Sequence, residues 1–429
     1  MPEIKEVLEN FNPWWKGKLR LNFKYREVYY KLQKFLDMPQ IMAFTGLRRV
    51  GKTTLMLKMA QDSIEKGFNP RNILYFSFDE FKAIELRKLL NVYEEIMECD
   101  LNNGRYLLML DEIQKLDNWE NQLKVIYDTL GKNIRLVISG SESLFIRKKS
   151  KETLAGRIFD FKIEPLTFSE FLSFKEINLK PIGIYKKELN KLLNEYILTL
   201  GFPELVNVND KEIIKKYIKE SIIERVIFKD IPNLFNIRDV SVLESLLNLL
   251  IEQPGQIVEL LSLSRDLGIS RHTLSSYLKY LEDSFLVKKL YNYSKNRRKI
   301  ERKLKKYYPT IVSPELLFKN DEISKSKVFE WLVVMQLNTE FFWRDPYKNE
   351  VDAVIFKEKA IPIEVKYGKA DTKGILAFMK KFNANLGIII TKDKEEKQKI
   401  DNTKILFVPA FKFLLNSEKV ISKHLAKGQ

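Results

Sequence analysis

The chain runs to 429 residues, 45% hydrophobic and 31% charged, with 74 Lys and Arg against 57 Asp and Glu and a formal net charge of +17. That length is too great for one ordinary core, so about three domains are expected, and the charge balance favours a polyanionic partner such as nucleic acid, although a Lys-rich solvated surface explains it as well until a local cluster is found. One cysteine, Cys99, excludes an intramolecular disulfide framework and a Cys-based zinc site, two histidines, His272 and His424, leave little room for His-dependent catalysis, and no run nears the roughly 20 apolar residues of a membrane span. The N-terminal stretch MPEIKEVLENFNPWW has no apolar signal core, so the expectation is a soluble cytoplasmic protein without a membrane partner.

Beyond an N-terminal segment, residues 1–35, the run QIMAFTGLRRVGKTTLMLKMAQ joins an apolar strand, a Gly-containing turn and a periodic helix. Within it Gly46, Leu47, Arg48, Arg49, Val50, Gly51, Lys52 and Thr53 satisfy G-x-x-x-x-G-K-[ST] in the strand-loop-helix context the motif needs. The two glycines let the backbone turn its N–H groups toward phosphate, and the helix that follows adds its positive dipole end. Lys52 would reach the β and γ phosphates of ATP and the Thr53 hydroxyl would ligate Mg2+. The second element is RYLLMLDEIQ, where Asp111 at the strand end would hold the Mg2+ and Glu112 would orient or deprotonate the attacking water. A further strand-like run, NILYFSFDE, lies between the two motifs, which points to the ATPase branch with a catalytic glutamate over the GTPase-like branch. Another buried strand, IRLVISGSES, ends in Ser139 and Ser141.

The order NPWW, GLRRVGKTT, LLMLDEIQ, ISGSES, LAGR with EPLTFSEF, and GFPE resembles the archaeal AAA-type ATPases of the ASCE P-loop class that carry a C-terminal nuclease-like region. The resemblance covers nearly the whole chain. It implies an α/β protein with a P-loop NTPase αβα core (36–165), a helical lid (166–238), a winged helix-turn-helix with a basic wing (239–310) and a C-terminal restriction-endonuclease-like α/β domain (311–429). NPWW and GFPE mark the family without a chemistry of their own. In related ATPases a polar residue at the end of this strand senses the γ-phosphate, so the resemblance offers Ser139 or Ser141 for that role, with a helix N-cap as the alternative. An arginine, here Arg157, completes charge stabilisation of the transferring phosphoryl group in cis or from a neighbouring subunit of a homo-oligomer, with local surface pairing as its alternative.

The middle of the chain is helical in period, as in KKELNKLLNEYILTL and KEIIKKYIKESIIERVIF. Then VSVLESLLNLLIEQ, ELLSLSRDLG and RHTLSSYLKYLEDS read as three helices, with Ser270 placed to cap the third and Arg271, His272 and Ser275 offered near its start. Between Lys288 and Lys306 stand ten Lys or Arg and one acid, Glu301. This is the local cluster that favours DNA, although winged helices also dock proteins and Lys-rich loops are often merely solvated.

From 325 to 415 the pattern is helix, three strands, helix and two strands, similar to the PD-(D/E)xK nuclease fold, with Glu330, Asp352, Glu364 and Lys366 at the matching positions and Val351 where the name expects proline. The resemblance implies that the carboxylates, Asp352 and Glu364 first, bind Mg2+ or Mn2+ and that Lys366 orients water or stabilises charge during phosphodiester hydrolysis. Glu364 and Lys366 share a strand face by period two. Asp352 joins them only through an odd-length turn such as Lys357-Glu358-Lys359, or a one-residue bulge. Two readings result: an ATPase that binds nucleic acid and can cut it, or a regulatory ATPase whose nuclease-like domain is a non-catalytic binding module.

Overall fold

The structure, a computed structural model, describes residues 4–79, 84–141, 153–235, 237, 239–337, 339–357, 359–369, 371–400 and 403–425. They form two compact units that divide between Pro165 and Leu166.

The first unit is a parallel sheet of β1 (Ile41–Thr45), β2 (Ile73–Ser77), β3 (Tyr106–Asp111), β4 (Ile134–Gly140) and β5 (Ile158–Lys162), in the order β2-β3-β4-β1-β5. Its central strands read as continuous apolar runs because helices bury both faces of a parallel sheet. β4 lies between β1 and β3, so the P-loop strand and the acidic strand are not neighbours.

NPWW has a structural role in this unit. β2 is an edge strand, and an edge exposes backbone groups that need partners. Asn12, 1% exposed, supplies them: its Nδ2 donates to the Tyr75 carbonyl at 2.9 Å, and the Tyr75 N–H donates to Asn12 Oδ1 at 2.7 Å. The indole N–H groups of Trp14 and Trp15 both donate to the Ile73 carbonyl, at 3.1 and 2.8 Å. One side-chain amide and two indoles thus satisfy three backbone groups of the edge, at Ile73 and Tyr75.

The second unit begins with helices Phe168–Phe174 and Lys186–Thr199 and a helical run over 211–234. Thr167 and Glu170 form a reciprocal capping box on the first helix. Helices Val240–Glu252, Leu260–Asp266 and Arg271–Asp283 follow, and the Ser270 hydroxyl accepts from the Thr273 N–H at 3.0 Å, the cap expected from the sequence. With them come β6 (Gln256–Val258), β7 (Val287–Asn292) and β8 (Lys305–Pro309), then β9 (Phe341–Arg344), β10 (Glu350–Phe356), β11 (Ala360–Lys366), β12 (Leu386–Thr391), β13 (Glu396–Ile400) and β14 (Thr403–Pro409). All nine belong to one sheet, ordered β13-β14-β12-β11-β10-β9-β7-β8-β6. The boundary expected at 310 is therefore crossed by hydrogen bonds, because β7 pairs with β9 through Tyr291 and Asn292. Asn292 extends that seam as Asn12 does the other edge, donating to the Arg344 carbonyl at 2.9 Å and accepting from its N–H at 3.2 Å.

Phe356 pairs with Ala360, so three residues, 357–359, link β10 and β11, and Ala353 lies opposite Ile363. Glu358 of that linker is outside the described residues. A bulge against β9 falls between Val351 and Val354. It lets both valines enter one core with Trp343, Ile375 and Phe378, although an odd separation would ordinarily put them on opposite faces. Helix Glu322–Gln336 also packs on β10 and β11 and carries Glu330.

Replacing Asn12 with alanine strands a buried N–H and a buried carbonyl on β2. Unfolding followed by tryptophan fluorescence should show the variant less stable by about 2 to 3 kcal/mol; an unchanged midpoint would mean that the amide is dispensable.

Candidate functional site

The P-loop takes its shape from residues that enter left-handed φ. Gly46 has φ 147°, and a Cβ there would lie 2.3 Å from the Ile163 carbonyl oxygen, so no side chain fits. Arg49 has φ 64°, and Gly51, at φ 95°, caps helix Lys52–Glu65. Leu47 and Val50 are buried and anchor the loop, and Arg48 is buried beside them. Lys52 folds back over the loop and donates to the Gly46 and Leu47 carbonyls at 3.0 and 3.1 Å. Arg26 was not foreseen: it is buried, and its guanidinium donates to the Val50 and Glu164 carbonyls, both at 2.8 Å. It ties the N-terminal segment to the back of the loop, and only its sequence distance from the motif hid it.

Thr53 and Asp111 meet although their strands are not adjacent. The Thr53 hydroxyl donates to Asp111 Oδ2 at 2.6 Å, and the Tyr75 hydroxyl donates to the same oxygen at 2.8 Å. Ser139 donates to Asp111 Oδ1 and accepts from the Glu112 N–H at 3.1 Å. Ser139 thus bridges the acidic pair, Asp111 through its hydroxyl proton and Glu112 through its oxygen. Tyr75 was missed because an aromatic in NILYFSFDE reads as core; burial first, and then Asp111 beside it, raise its hydroxyl far above the usual tyrosine value. Glu112 stands at φ 53°, and its carboxylate accepts from Gln114 at 2.6 Å and Ser141 at 3.2 Å.

The donor set fits ATP and Mg2+. Thr53 and Asp111 supply two hard oxygens, and the usual magnesium shell is completed by phosphates and water. Bound there, Mg2+ would offset charge on the phosphates; Lys52 and the loop N–H groups would be the ones to orient them, and Glu112 the one to face the attacking water.

Arg157 does not join this site in its own chain. It precedes β5, and its carbonyl accepts from the N–H of Ile41, the first residue of β1, whereas the P-loop follows the last. Its Nε donates to Asp128 Oδ1 at 3.0 Å. Within its own chain the partner is Asp128, the local surface pairing that stood as its alternative role.

In the second unit Glu330 lies beside Asp352, and Lys366, paired with Glu364, lies within the field of Asp352, but two unforeseen residues alter the site. Lys306, expected in a solvent-facing basic wing, is 4% exposed. Its Nζ donates to Glu330 Oε1 at 2.9 Å, Glu350 Oε1 at 2.9 Å and Asp352 Oδ1 at 3.2 Å. Glu350 is the second addition. The Tyr308 hydroxyl donates to Glu330 Oε1 at 2.6 Å, and the Val365 N–H donates to Asp352 Oδ2 at 2.8 Å. Lys366 pairs with Glu364 Oε1 at 2.8 Å. Burial opposes the charge on Lys306, yet Glu330 and the other carboxylates hold its pKa well above the usual lysine value. Burial and then the Glu330 charge push Asp352 up to about 7. The expected Mg2+ or Mn2+ does not fit this arrangement. Among the described residues no group of three or more His, Cys, Asp or Glu is disposed to hold a metal ion. A divalent ion at van der Waals distance from Lys306 would be repelled by on the order of 10 kcal/mol even at an effective dielectric of 20.

The rest of the basic run divides. Lys288 donates to the Leu337 carbonyl, Lys289 pairs with Glu282 at 2.8 Å and Lys303 donates to the Tyr293 carbonyl. Lys295, Arg297, Arg298 and Lys299 are exposed, at the start of helix Arg297–Arg302, as are Arg271, His272 and Ser275. No helix among the described residues is long and apolar enough to cross a membrane.

Asp352 makes stability depend on pH. Its folded pKa exceeds the unfolded value, so the folded chain holds the extra proton between about pH 4 and 7, and the stability this contributes is lost as pH rises through that window. Melting temperatures of wild type and Asp352→Asn across this range should converge or cross as pH rises; parallel profiles would contradict the assignment.

Residues 38–172 match the AAA domain family, 190–310 a domain of unknown function (DUF8612) and 326–411 another (DUF4143). An uncharacterized protein of Methanocaldococcus jannaschii, MJ1637, is 29% identical over 95% of this chain and 91% of its own. A second from that organism, MJ1544, is 30% identical over 88% of each chain. Among solved structures, AMPPCP-bound DnaA from Aquifex aeolicus aligns with 62% of this chain and 89% of its own, at 16% identity and a TM-score of 0.29. The chain belongs to the family of the Methanocaldococcus jannaschii protein MJ1544, and its N-terminal P-loop module is an AAA domain.

Proposed function

We propose that the protein is a Mg2+-dependent ATPase acting as a regulatory switch, with Lys52 binding the phosphates, Thr53 and Asp111 holding the metal, Glu112 activating water and Tyr75 and Ser139 positioning Asp111. The convergence of Thr53, Tyr75 and Ser139 on one carboxylate at the end of β3 carries this reading. Of the two sequence readings it is the non-cleaving one, because Lys306 lies among the carboxylates that a nuclease would need for metal. Glu112→Gln should lower ATP turnover by about 10²–10⁴-fold and leave nucleotide affinity within a few-fold. Lys52→Ala should lose affinity itself. Phosphate release and fluorescent-nucleotide binding separate the two, and full turnover by Glu112→Gln would remove the glutamate from the mechanism.

Nucleic acid is the partner we favour for the second unit. The supporting observation is the exposed cluster Lys295, Arg297, Arg298 and Lys299, beside a winged-helix-like order of helices and strands whose third helix exposes Arg271 and His272. Duplex DNA binding measured by anisotropy should weaken steeply with salt. Changing the four cluster residues to alanine should flatten the log–log slope by roughly 3 to 4 if each meets a phosphate, and binding indifferent to salt would count against DNA.

A further inference from the structure

The carboxylates of the C-terminal cluster come from two elements, Glu330 from helix Glu322–Gln336 and Glu350 and Asp352 from β10, while the ammonium that satisfies them comes from β8, outside the nuclease-like motif. Each N–H of Lys306 has its own carboxylate, so the cation is fully coordinated by the protein. Tyr308, two residues on and so on the same strand face, donates to Glu330 and holds β8 in register with the cluster. Beside it, Glu364 is 5% exposed, and its Oε2 is buried without a hydrogen-bond partner among the described residues. An unpartnered buried carboxylate oxygen that also feels the charges of Glu350 and Asp371 is a demand for positive charge that Lys366, already on Oε1, meets only in part.

We propose that Lys306 is a built-in counter-cation that keeps this cluster closed to divalent metal, and that removing its charge converts the cluster into a divalent-cation site on Asp352 and Glu364. The inference deepens the non-cleaving reading of the C-terminal domain and rests on it. A lysine fixed by three carboxylates and a tyrosine is part of the fold, not a solvated wing residue, and it stands where the metal of a phosphodiester-cleaving site would bring its charge. The hairpin that carries it also carries the exposed basic cluster at 295–299, so the same element faces solvent at its tip and neutralises the cluster at its base.

The test is Mn2+ binding to the full-length chain, followed by electron paramagnetic resonance of the free ion and by thermal melting, with Asp111→Asn in every protein so that the nucleotide site takes no manganese. The parent should show no saturable binding and no shift in melting temperature. Lys306→Gln should bind a single Mn2+ and melt higher in its presence, and adding Glu364→Gln should abolish both effects. A Lys306→Gln protein that melts cooperatively yet binds no Mn2+ would overturn the proposal. So would a parent that binds Mn2+ in a manner lost on Asp352→Asn, a comparison that needs no variant of Lys306 and stands even if that variant fails to fold. Because no nucleotide is present, these outcomes are independent of ATP turnover, whose failure would bear on the ATPase reading alone.

Discussion

The buried ammonium of Lys306 is the constraint on which the second unit depends. A cation taken out of water must be met by carboxylates at hydrogen-bonding distance, and those carboxylates cannot share a site without it. β8, helix Glu322–Gln336 and β10 are thereby held to one point, although β7 and β9 lie between β8 and β10 in the sheet. The seam between β7 and β9 has two paired positions, extended by Asn292, and the ion cluster supplies a second attachment across it. Removing either partner class would leave charge uncompensated, typically a loss of 3–5 kcal/mol or about that. The strands expected for the winged helix and those expected for the C-terminal domain thus share one sheet, tied at this point by one charge.

The two units solve the burial of acids in opposite ways, and the difference decides what each can bind. Asp111 is satisfied by three hydroxyls, from Thr53, Tyr75 and Ser139, all neutral. Hydroxyls can turn their oxygens toward a cation or yield to it, so the anionic charge of Asp111 remains available. Glu330, Glu350 and Asp352 instead share a lysine whose charge cannot be turned away and whose pKa those acids raise. Carboxylate count alone would rank the second site as the better metal centre. Counting charge reverses the ranking.

What could be read in the sequence was what local spacing encodes. The P-loop, the acidic strand end, the Ser270 cap and the odd link that sets Ala353 opposite Ile363 all follow from periodicity or turn length within a few residues. Arg26, Tyr75, Glu350 and Lys306 were missed because each acts across a distance that spacing does not measure. Lys306 in particular was hidden by its neighbours: in a run of ten basic residues, nothing local distinguishes the one whose side chain points inward. β13, EKQKI, escaped for the converse reason, since a charged edge strand looks like a loop until it is seen against β14. NPWW had no readable chemistry because its work is done on the backbone of β2.

Motif occupancy and site identity therefore come apart in a specific way. All four positions of the nuclease-like pattern are filled, and Asp352 and Glu364 lie on the hairpin in the register that the pattern demands. Yet the electrostatics of the site are set by a residue that the pattern does not include, carried by a strand that precedes it. Strand periodicity explains how both facts hold together: Lys306 and Tyr308 alternate to the cluster side, while Lys305 and Tyr307, between them, take the ladder to Gln256 and Val258 on the other strand edge without entering the cluster. A shift of β8 by one residue would turn Lys306 and Tyr308 away and leave three carboxylates, Asp352 buried among them, without their cation, so the cluster enforces the register of the very strand that closes it.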